Sequence, residues 1–323
     1  MKVYQGIEPF DPPAEGVVLT IGNFDGVHRG HRRLLEAARR QARDANVTAV
    51  AVTFEPHPLA ILAPQKAPAR LSTIRERIAL IEMSGIDAVI VLQSNRRLLG
   101  RTAEQFLSDL VENCRPRAIV EGPTFRFGRG REGSVETLCA YAAGLGFSVT
   151  VVDELHSDGL DDHPAINSSA IRQALREGRL SDANTLLGRP YRIAGVVGRG
   201  RRRGQALGFP TANLAQIPHL LPAEAVYAAV AQRADDQLHL AAVNIGPQPT
   251  FAQGEVCVEA HLLDFSGELD GQCLGLHLLA KLRGQLRFGG GDELVAQLHR
   301  DVGQTRACAD QLARMRSEPR VPL

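Results

Sequence analysis

The chain has 323 residues, 44% of them hydrophobic and 23% charged, enough for about two domains with sizeable cores. Its 37 basic and 36 acidic residues nearly cancel, which excludes a global field that would recruit nucleic acid or an anionic membrane. Five cysteines without a CxxC pair argue against a disulfide framework or a zinc knuckle and for a reducing cytoplasm. MKVYQGIEPFDPP has no signal-peptide core, and no run of about 18 apolar residues is available to span a membrane.

From residue 17 to about 155, short β-rich apolar runs alternate with amphipathic stretches. VVLTI (17–21) precedes a predicted helix over 30–44, VTAVAVTF (47–54) one over 73–84, and DAVIVL (87–92) follows. Thr102 opens TAEQF, with Gln105 three residues on, a capping-box pattern for a helix ending near Cys114. RAIVEG (117–122), a helix from Ser134 to about Leu145, and FSVTVVDEL (147–155) complete the series. This alternation predicts βαβ units, a Rossmann-like parallel sheet with helices on both faces.

The pattern changes after Gly188. YRIAGVVG, AVYAAVAQ, LHLAAVNIG, EVCVEAHLLDF and LGLHLLAKLRG read as short strands separated by turns, which predicts a small antiparallel β-barrel. The tail from Asp292 to about Arg314 has helical periodicity. The expected domains are therefore 1–187 and 188–323.

IGNFDGVHRGH (21–31) sits where the first strong strand becomes a helix. Glycine-rich turns at that place let backbone N–H groups approach a ligand, and the helix N-terminus favours an anion. His28 and His31 add side-chain donors, and ligands of an α/β sheet bind beyond the carboxyl ends of its strands. The economical reading is electrostatic stabilisation of a phosphate during transfer. VTFEPHP (52–58) brings His57 to the same sheet edge. EGPTFRFGRGREG (121–133) follows another strand with aromatics, arginines and glycines able to hold a flat ring beside anionic groups. INSSAIRQAL (166–175) starts a helix with Ser168 or Ser169 as its expected cap and Arg172 one turn in, where it can meet a phosphate.

In the second half, GQALGFPTANL (204–214) projects Thr211 and Asn213 to one face if extended, and such neutral oxygens suit Mg²⁺ held mainly by nucleotide phosphates. Glu259, inside the apolar VCVEAHLLDF (256–265), should be partnered or functional because burying charge is unfavourable. It can accept a hydroxyl proton from a substrate. Blander readings stand beside these: a surface histidine in HxGH, a polar turn in PTAN, a salt-bridged strand residue at 259.

GNFDGVHRGH, VTFEPHP, FRFG and the NSSAIR segment, in this order, resemble the N-terminal module of the prokaryotic bifunctional riboflavin kinase/FAD synthetase family. HxGH alone would also fit cytidylyl-, pantetheine-phosphate or nicotinamide-mononucleotide transferases; the flanking FDGVH and FRFG narrow the choice. GRPYRIAG (188–195), GFPTAN, VNIGPQPTF (243–251) and VCVEAHLLDF are similar to the riboflavin kinase module of the same family, so the likeness spans roughly 15–310.

The resemblance implies that ATP phosphorylates riboflavin to FMN in the second module and that the first module adenylylates FMN to FAD, releasing pyrophosphate. It implies that His28 and His31 stabilise phosphates, that Gly22, Asn23, Phe24, Asp25 and Gly30 shape the nucleotide loop, and that Ser168, Ser169 and Arg172 close on the phosphates. His57, Pro58, Thr124, Phe125, Arg126 and Phe127 are the expected flavin contacts. Thr211 and Asn213 match metal and nucleotide residues, Glu259 the general base, and Gly200 and Gly204 flank the phosphate-approaching loop. Riboflavin, FMN and ATP, with Mg²⁺, are the expected partners, without nucleic acid or membrane; self-association is left open.

The chain departs from the family pattern at several places. Thr124 replaces an acidic or amide residue before FRFG, Asn167 and Ala170 alter the serine-rich signature, Gln205 replaces an arginine and Ala225 a glycine. Asp270 replaces an aromatic, and Gln285 replaces glutamate in RxExxF. Two rival readings follow: one module active and the other weakened, or nucleic-acid binding through RGRRRG (199–204).

Overall fold

The computed structural model describes residues 1–158, 160, 165–198, 208–247 and 256–323. It divides into two compact units, one built chiefly from Met1–Ala69 and Ile74–Asp158, the other chiefly from Arg70–Thr73 and Asn167–Leu323.

The strands of the first unit are β1 (Lys2–Gln5), β2 (Val17–Ile21), β3 (Thr48–Glu55), β4 (Ala88–Gln93), β5 (Pro116–Glu121), the short pair β6 (Arg126–Phe127) and β7 (Gly133–Ser134), and β8 (Ser148–Val151). Six of them form one parallel sheet in the order β1-β4-β3-β2-β5-β8; β6 and β7 pair separately and antiparallel. Its helices are α1 (Arg29–Asp44), α2 (Pro58–Leu62), α3 (Ile74–Met83), α4 (Arg96–Leu99), α5 (Ala103–Cys114) and α6 (Val135–Leu145). The central strands read as unbroken apolar runs because both faces of a parallel sheet are covered. Every residue of β2 is buried. One face packs Leu19, Ile21, Val52, Ile90 and Ile119 against Phe106, Leu110 and Leu138 of the helices. Each such side chain contributes about 1.5–3 kcal/mol on leaving water.

The capping box at α5 forms in both directions: Thr102 Oγ1 accepts from the Gln105 amide at 3.2 Å, and Gln105 Oε1 accepts from the Thr102 amide at 3.0 Å. Two strand expectations change. β1, unsignalled in the sequence pattern, adds a short parallel edge beside β4. The run expected as a strand over 147–155 is β-structured only at Ser148–Val151, because its sole partner β5 ends at Glu121.

In the second unit, α7 (Ser168–Arg176) and α8 (Leu180–Leu187) precede β9 (Tyr191–Gly198), β10 (Ala212–Ala215), β11 (Ala225–Arg233), β12 (Leu238–Pro247), β13 (Val256–Leu262) and β14 (Cys273–Arg283). These six strands close into a barrel, β10-β13-β12-β11-β14-β9, with every pair antiparallel. Closure removes the unpaired edges that an open sheet would expose. The strand pattern begins near residue 188, yet α8 belongs by contact with the barrel: Asn184 Nδ2 donates to Leu278 O at 3.0 Å, and its Oδ1 accepts from the Tyr191 amide at 2.7 Å.

The tail, expected as a single helix over 292–314, is two, α9 (Gly291–Arg306) and α10 (Ala309–Ser317). Thr305 Oγ1 donates to Asp301 O at 2.8 Å, a back-bond of the kind that bends a helix near its end. Val302, Leu312 and Met315 from these helices cover Val230, Leu238 and Leu240 of the barrel.

Arg283 ties the end of β14 to α9 by two-pronged hydrogen bonding to Asp301, at 3.0 Å from Nε and 2.7 Å from Nη2. The Asp301 side chain is only 2% exposed. Asp301→Ala would leave the largely buried guanidinium without its carboxylate and should lower barrel stability by about 3 kcal/mol. Urea denaturation read from the second unit checks this; an unchanged midpoint would show that the pair does not anchor α9.

Candidate functional site

The first site is built where β2 leaves the sheet. β2 pairs with β5 only through Val17, Val18 and Leu19, whereas its pairing with β3 runs on to Ile21. Beyond Leu19 an amide on the β5 side lacks a strand partner, and Glu121 supplies one: Ile21 N donates to its Oε1 at 2.5 Å. On the other side Gly22 N donates to Val52 O at 3.0 Å, and Thr53 Oγ1 donates to Asn23 O at 3.2 Å. The loop that follows is held in a costly backbone. Phe24 and Val27 have φ of 46° and 36°, uncommon for residues with a side chain and a true outlier for a β-branched one. Asn23 Oδ1 is buried with no hydrogen-bond partner among the described residues.

His28 is the N-cap of α1, its Nδ1 accepting from the His31 amide at 3.2 Å. A ring nitrogen that accepts carries no proton, so the proton of a neutral His28 sits on Nε2. The His28 and His31 rings stack with centroids 3.6 Å apart, and Phe24 meets His31 edge-on at 5.3 Å. Gly30 is required by close approach: a Cβ there would stand 2.9 Å from Ile166 O and 3.2 Å from the His28 ring. His28, Asp25 and Phe24 are all buried. Two imidazoles and the first amides of a helix thus converge at the carboxyl end of a central strand.

His57 repeats the device after β3. It caps α2, with Nδ1 accepting from the Leu59 amide at 3.2 Å, and Pro58 takes the first helical position. Arg77, buried on α3, holds the end of β3 by donating to Phe54 O at 2.9 Å and pairing with Glu55 at 3.6 Å. FRFGRGREG forms the β6–β7 hairpin, pinned against α5: Arg129 N donates to Arg101 O at 2.7 Å, and Glu132 accepts from the Ala103 amide at 2.8 Å. Gly128, at φ 73°, is required by this close approach, since a Cβ there would stand 2.6 Å from the Ala103 backbone nitrogen. Phe127 is a core residue against Phe106 and Gly133, and Phe125 stacks on it at 5.4 Å. Thr124 and Arg126 are exposed.

The cap of α7 is Asn167, whose Oδ1 accepts from the Ala170 amide at 2.9 Å, not Ser168 or Ser169, which lie inside the first turn. An asparagine side chain reaches the third helical amide as well as serine does, and it stands one residue earlier. Arg172 is buried on the same helix, within the second unit.

In the barrel, Thr211 directly precedes β10, which carries Asn213. The register sets Asn213 opposite Glu259, and Glu259 opposite Asn244 of β12. β13 alternates, with Val258, Ala260 and Leu262 buried and Cys257, Glu259 and His261 half-buried on the other face. Glu259 therefore belongs to a polar row across three strands rather than to the apolar interior. Pro210 O and His261 Nδ1 lie 2.8 Å apart, and Phe209 packs edge-on to His261 and His299, which fixes the chain entering β10. Gly200, Gly204 and Gln205, with the arginine run, lie outside the described residues. Asp270 stands exposed in the turn before β14, and Ala225 is buried at the start of β11.

Glu121, Arg77 and Asn244 escape a reading by motif. For Glu121 the signal was present: it ends an apolar strand, as open to the charge-burial argument as Glu259, and it is the more buried of the two. Arg77 had none, because its amphipathic helix makes any arginine look like a solvated one.

A strained, histidine-bearing loop at the carboxyl end of a parallel sheet and a closed barrel with a carboxylate among amides mark a two-module chain, which the family matches identify as a transferase. The FAD synthetase family matches residues 11–163 and the riboflavin kinase family residues 187–309. The bifunctional riboflavin kinase/FMN adenylyltransferase of Escherichia coli K12 is 40% identical over 303 residues, covering 93% of this chain and 96% of that one. Its Bacillus subtilis counterpart is 32% identical over 289 residues, covering 88% and 90%. The chain belongs to the family of bifunctional riboflavin kinases/FMN adenylyltransferases. A solved Streptococcus pneumoniae structure, described as a macrolide-efflux protein, has a TM-score of 0.83 at 28% identity and covers 94% of this chain and 98% of its own. Among the described residues, no helix is long and apolar enough to cross a membrane.

Burial raises the Glu121 carboxyl well above its ordinary value of 4.5, and the Ile21 hydrogen bond offsets this only in part. The folded protein therefore holds a proton that the unfolded chain releases, so Glu121 makes stability fall as pH rises above about 4.5. Glu121→Gln keeps the acceptor for Ile21 and removes the titration. The variant should match wild type near pH 4 and become progressively the more stable of the two toward pH 8. Urea midpoints across that range measure the gap; a constant difference would mean that Glu121 is ionised in the fold.

Proposed function

We propose that the chain makes FMN in its barrel and converts FMN to FAD at the HxGH loop, using ATP in both steps. The observation that carries this reading is the pair of stacked imidazoles at the N-terminus of α1, beyond the carboxyl end of β2.

In the first module an FMN phosphate oxygen attacks the α-phosphorus of ATP, the bond to the β-phosphate bridging oxygen breaks, and pyrophosphate departs. His28 and His31 donate N–H to the phosphate oxygens as charge shifts toward pyrophosphate, with the amides of α1 adding to the same field. Gly22 to Asp25 and Gly30 shape the nucleotide loop, with buried Asn23 Oδ1 available to a hydroxyl or amino group. Ser168, Ser169 and Arg172, on α7 of the second unit, are phosphate-binding residues by the family resemblance. His57, Pro58, Thr124, Phe125 and Arg126 meet the flavin, and Phe127 supports Phe125 from the core. No covalent enzyme intermediate is needed, so positioning and charge stabilisation carry the rate.

In the barrel Glu259 takes the proton of the ribityl 5′-hydroxyl as its oxygen attacks the γ-phosphorus of ATP, and ADP leaves. Gly200 and Gly204, outside the described residues, are assigned to phosphate binding by the family resemblance alone. Thr211 and Asn213 offer neutral, hard oxygens, and among the described residues no cluster of three or more His, Cys, Asp or Glu exists to cage a metal. That donor set fits Mg²⁺, which supplies charge neutralisation when it arrives largely on ATP phosphates. The near-neutral charge supports a chain that acts on small molecules in the cytoplasm, without nucleic acid.

Chromatography of flavins after incubation with riboflavin, ATP and Mg²⁺, and separately with FMN, tests both activities. FAD in both tubes is the expected result; FMN that never becomes FAD would leave a kinase with a silent first module. His31→Ala should lower FMN adenylylation about 10²–10³-fold while riboflavin phosphorylation continues. Equal loss of both would indicate a folding defect, and no loss would remove His31 from the site.

A further inference from the structure

The proposed base does not stand alone on its face of the barrel. Residues directly opposite on antiparallel strands have Cβ atoms about 4.5–5.5 Å apart. Asn213, Glu259 and Asn244 occupy such positions on β10, β13 and β12. The row extends one step further. Gln285, just beyond the end of β14, donates from Nε2 to Asn244 Oδ1 at 3.0 Å and to the backbone carbonyl of Ile245 at 2.9 Å.

That carbonyl decides how both amides are turned. A backbone carbonyl can only accept, so the Gln285 atom facing Ile245 is nitrogen. The same nitrogen donates to Asn244, which must therefore present oxygen to it. The Asn244 NH₂ is then the group not turned to Gln285, and the cross-strand neighbour of Asn244 on β13 is Glu259. We infer that Gln285 is a positioning residue for the kinase reaction: acting through Asn244, it directs an N–H donor at the Glu259 carboxylate and holds it in one orientation to receive the hydroxyl proton. A neutral amide steadies the carboxylate without pairing off its charge, which a lysine or arginine in that place would do.

Two further observations support the arrangement. Gly246 has no left-handed backbone to require glycine, yet a Cβ there would stand 2.4 Å from Gln285 Nε2 and 3.0 Å from its Cδ. The NIG sequence thus supplies the amide that Gln285 orients and the space in which its side chain lies. The Arg283–Asp301 pair, two residues upstream, anchors the segment that delivers Gln285. Gln285 itself is exposed and Glu259 half-buried.

The inference rests on Glu259 being the base, and the test separates the two. Steady-state kinetics of riboflavin phosphorylation would be measured for Glu259→Gln, Gln285→Met, Asn244→Ala, Gly246→Ala and the Gln285→Met/Asn244→Ala double variant. FMN adenylylation by each preparation reports a folded chain. Gln285→Met, which keeps length and removes the donors, should lower kcat about three- to tenfold with KM for riboflavin unchanged. Asn244→Ala should fall at least as far, and the double variant no further than Asn244→Ala, because the effect passes through Asn244. Gly246→Ala, which displaces the amide with Gln285 intact, should reproduce Gln285→Met. An unaltered kcat in Gln285→Met, or single effects that multiply in the double variant, overturns the inference. Undiminished turnover in Glu259→Gln overturns the base assignment, and the inference with it.

Discussion

The hydrogen bond from Ile21 N to Glu121 marks the constraint on which the first module depends. Parallel strands must part somewhere for a ligand to reach the backbone between them, and parting leaves an amide without its ladder partner. In this sheet β2 keeps its bonds to β3 while β5 turns away after Leu19, so the orphaned amide falls one residue before the glycine-rich loop. Glu121 spans the gap. Without that bridge, a buried N–H would oppose the divergence that opens the site. The strained φ values at Phe24 and Val27, the ring stack and the Gly30 approach to Ile166 all follow from a chain leaving the sheet at this point in this direction.

The barrel solves a different problem. Closure removes every edge, so a reactive group must come from the outward row of a strand or from a loop. Alternation along β13 sends Val258, Ala260 and Leu262 inward and Cys257, Glu259 and His261 to the other face. Antiparallel register then assembles chemistry from strands far apart in sequence: Asn213, Asn244 and Glu259 meet because β10, β13 and β12 are neighbours. The two modules thus gather different groups, imidazoles and helix amides at a strand end in one, a carboxylate and amide side chains across three strands in the other.

Departures from the family pattern take on physical meaning once their neighbours are known. Asn167 replaces a serine of the signature and is the helix cap, so the change preserves the local structure it seemed to disturb. Gln285 replaces a glutamate and brings N–H donors that a carboxylate lacks, which it gives to Asn244 Oδ1 and Ile245 O. Thr124 is exposed, and Phe127 is fixed in the core, so Phe125 alone of the FRFG aromatics lies toward the surface without being part of the buried core.

Local physics made much of this protein legible from its residues in order. Apolar runs broken at helical intervals specify a parallel sheet, alternating short runs a barrel, and Thr102 with Gln105 a capped helix, because each depends on neighbours within a few positions. HxGH before an amphipathic helix marked the start of α1 for the same reason. What only the tertiary structure decided depends on residues distant in the chain. Sheet order makes Glu121 the partner of Ile21 across a separation of 100 residues, and strand register sets Asn244 beside Glu259. A backbone carbonyl at Ile245 turns the Gln285 amide 40 positions away. Hydrogen bonds have direction, and direction across strands is set by packing and register, which no stretch of sequence contains by itself.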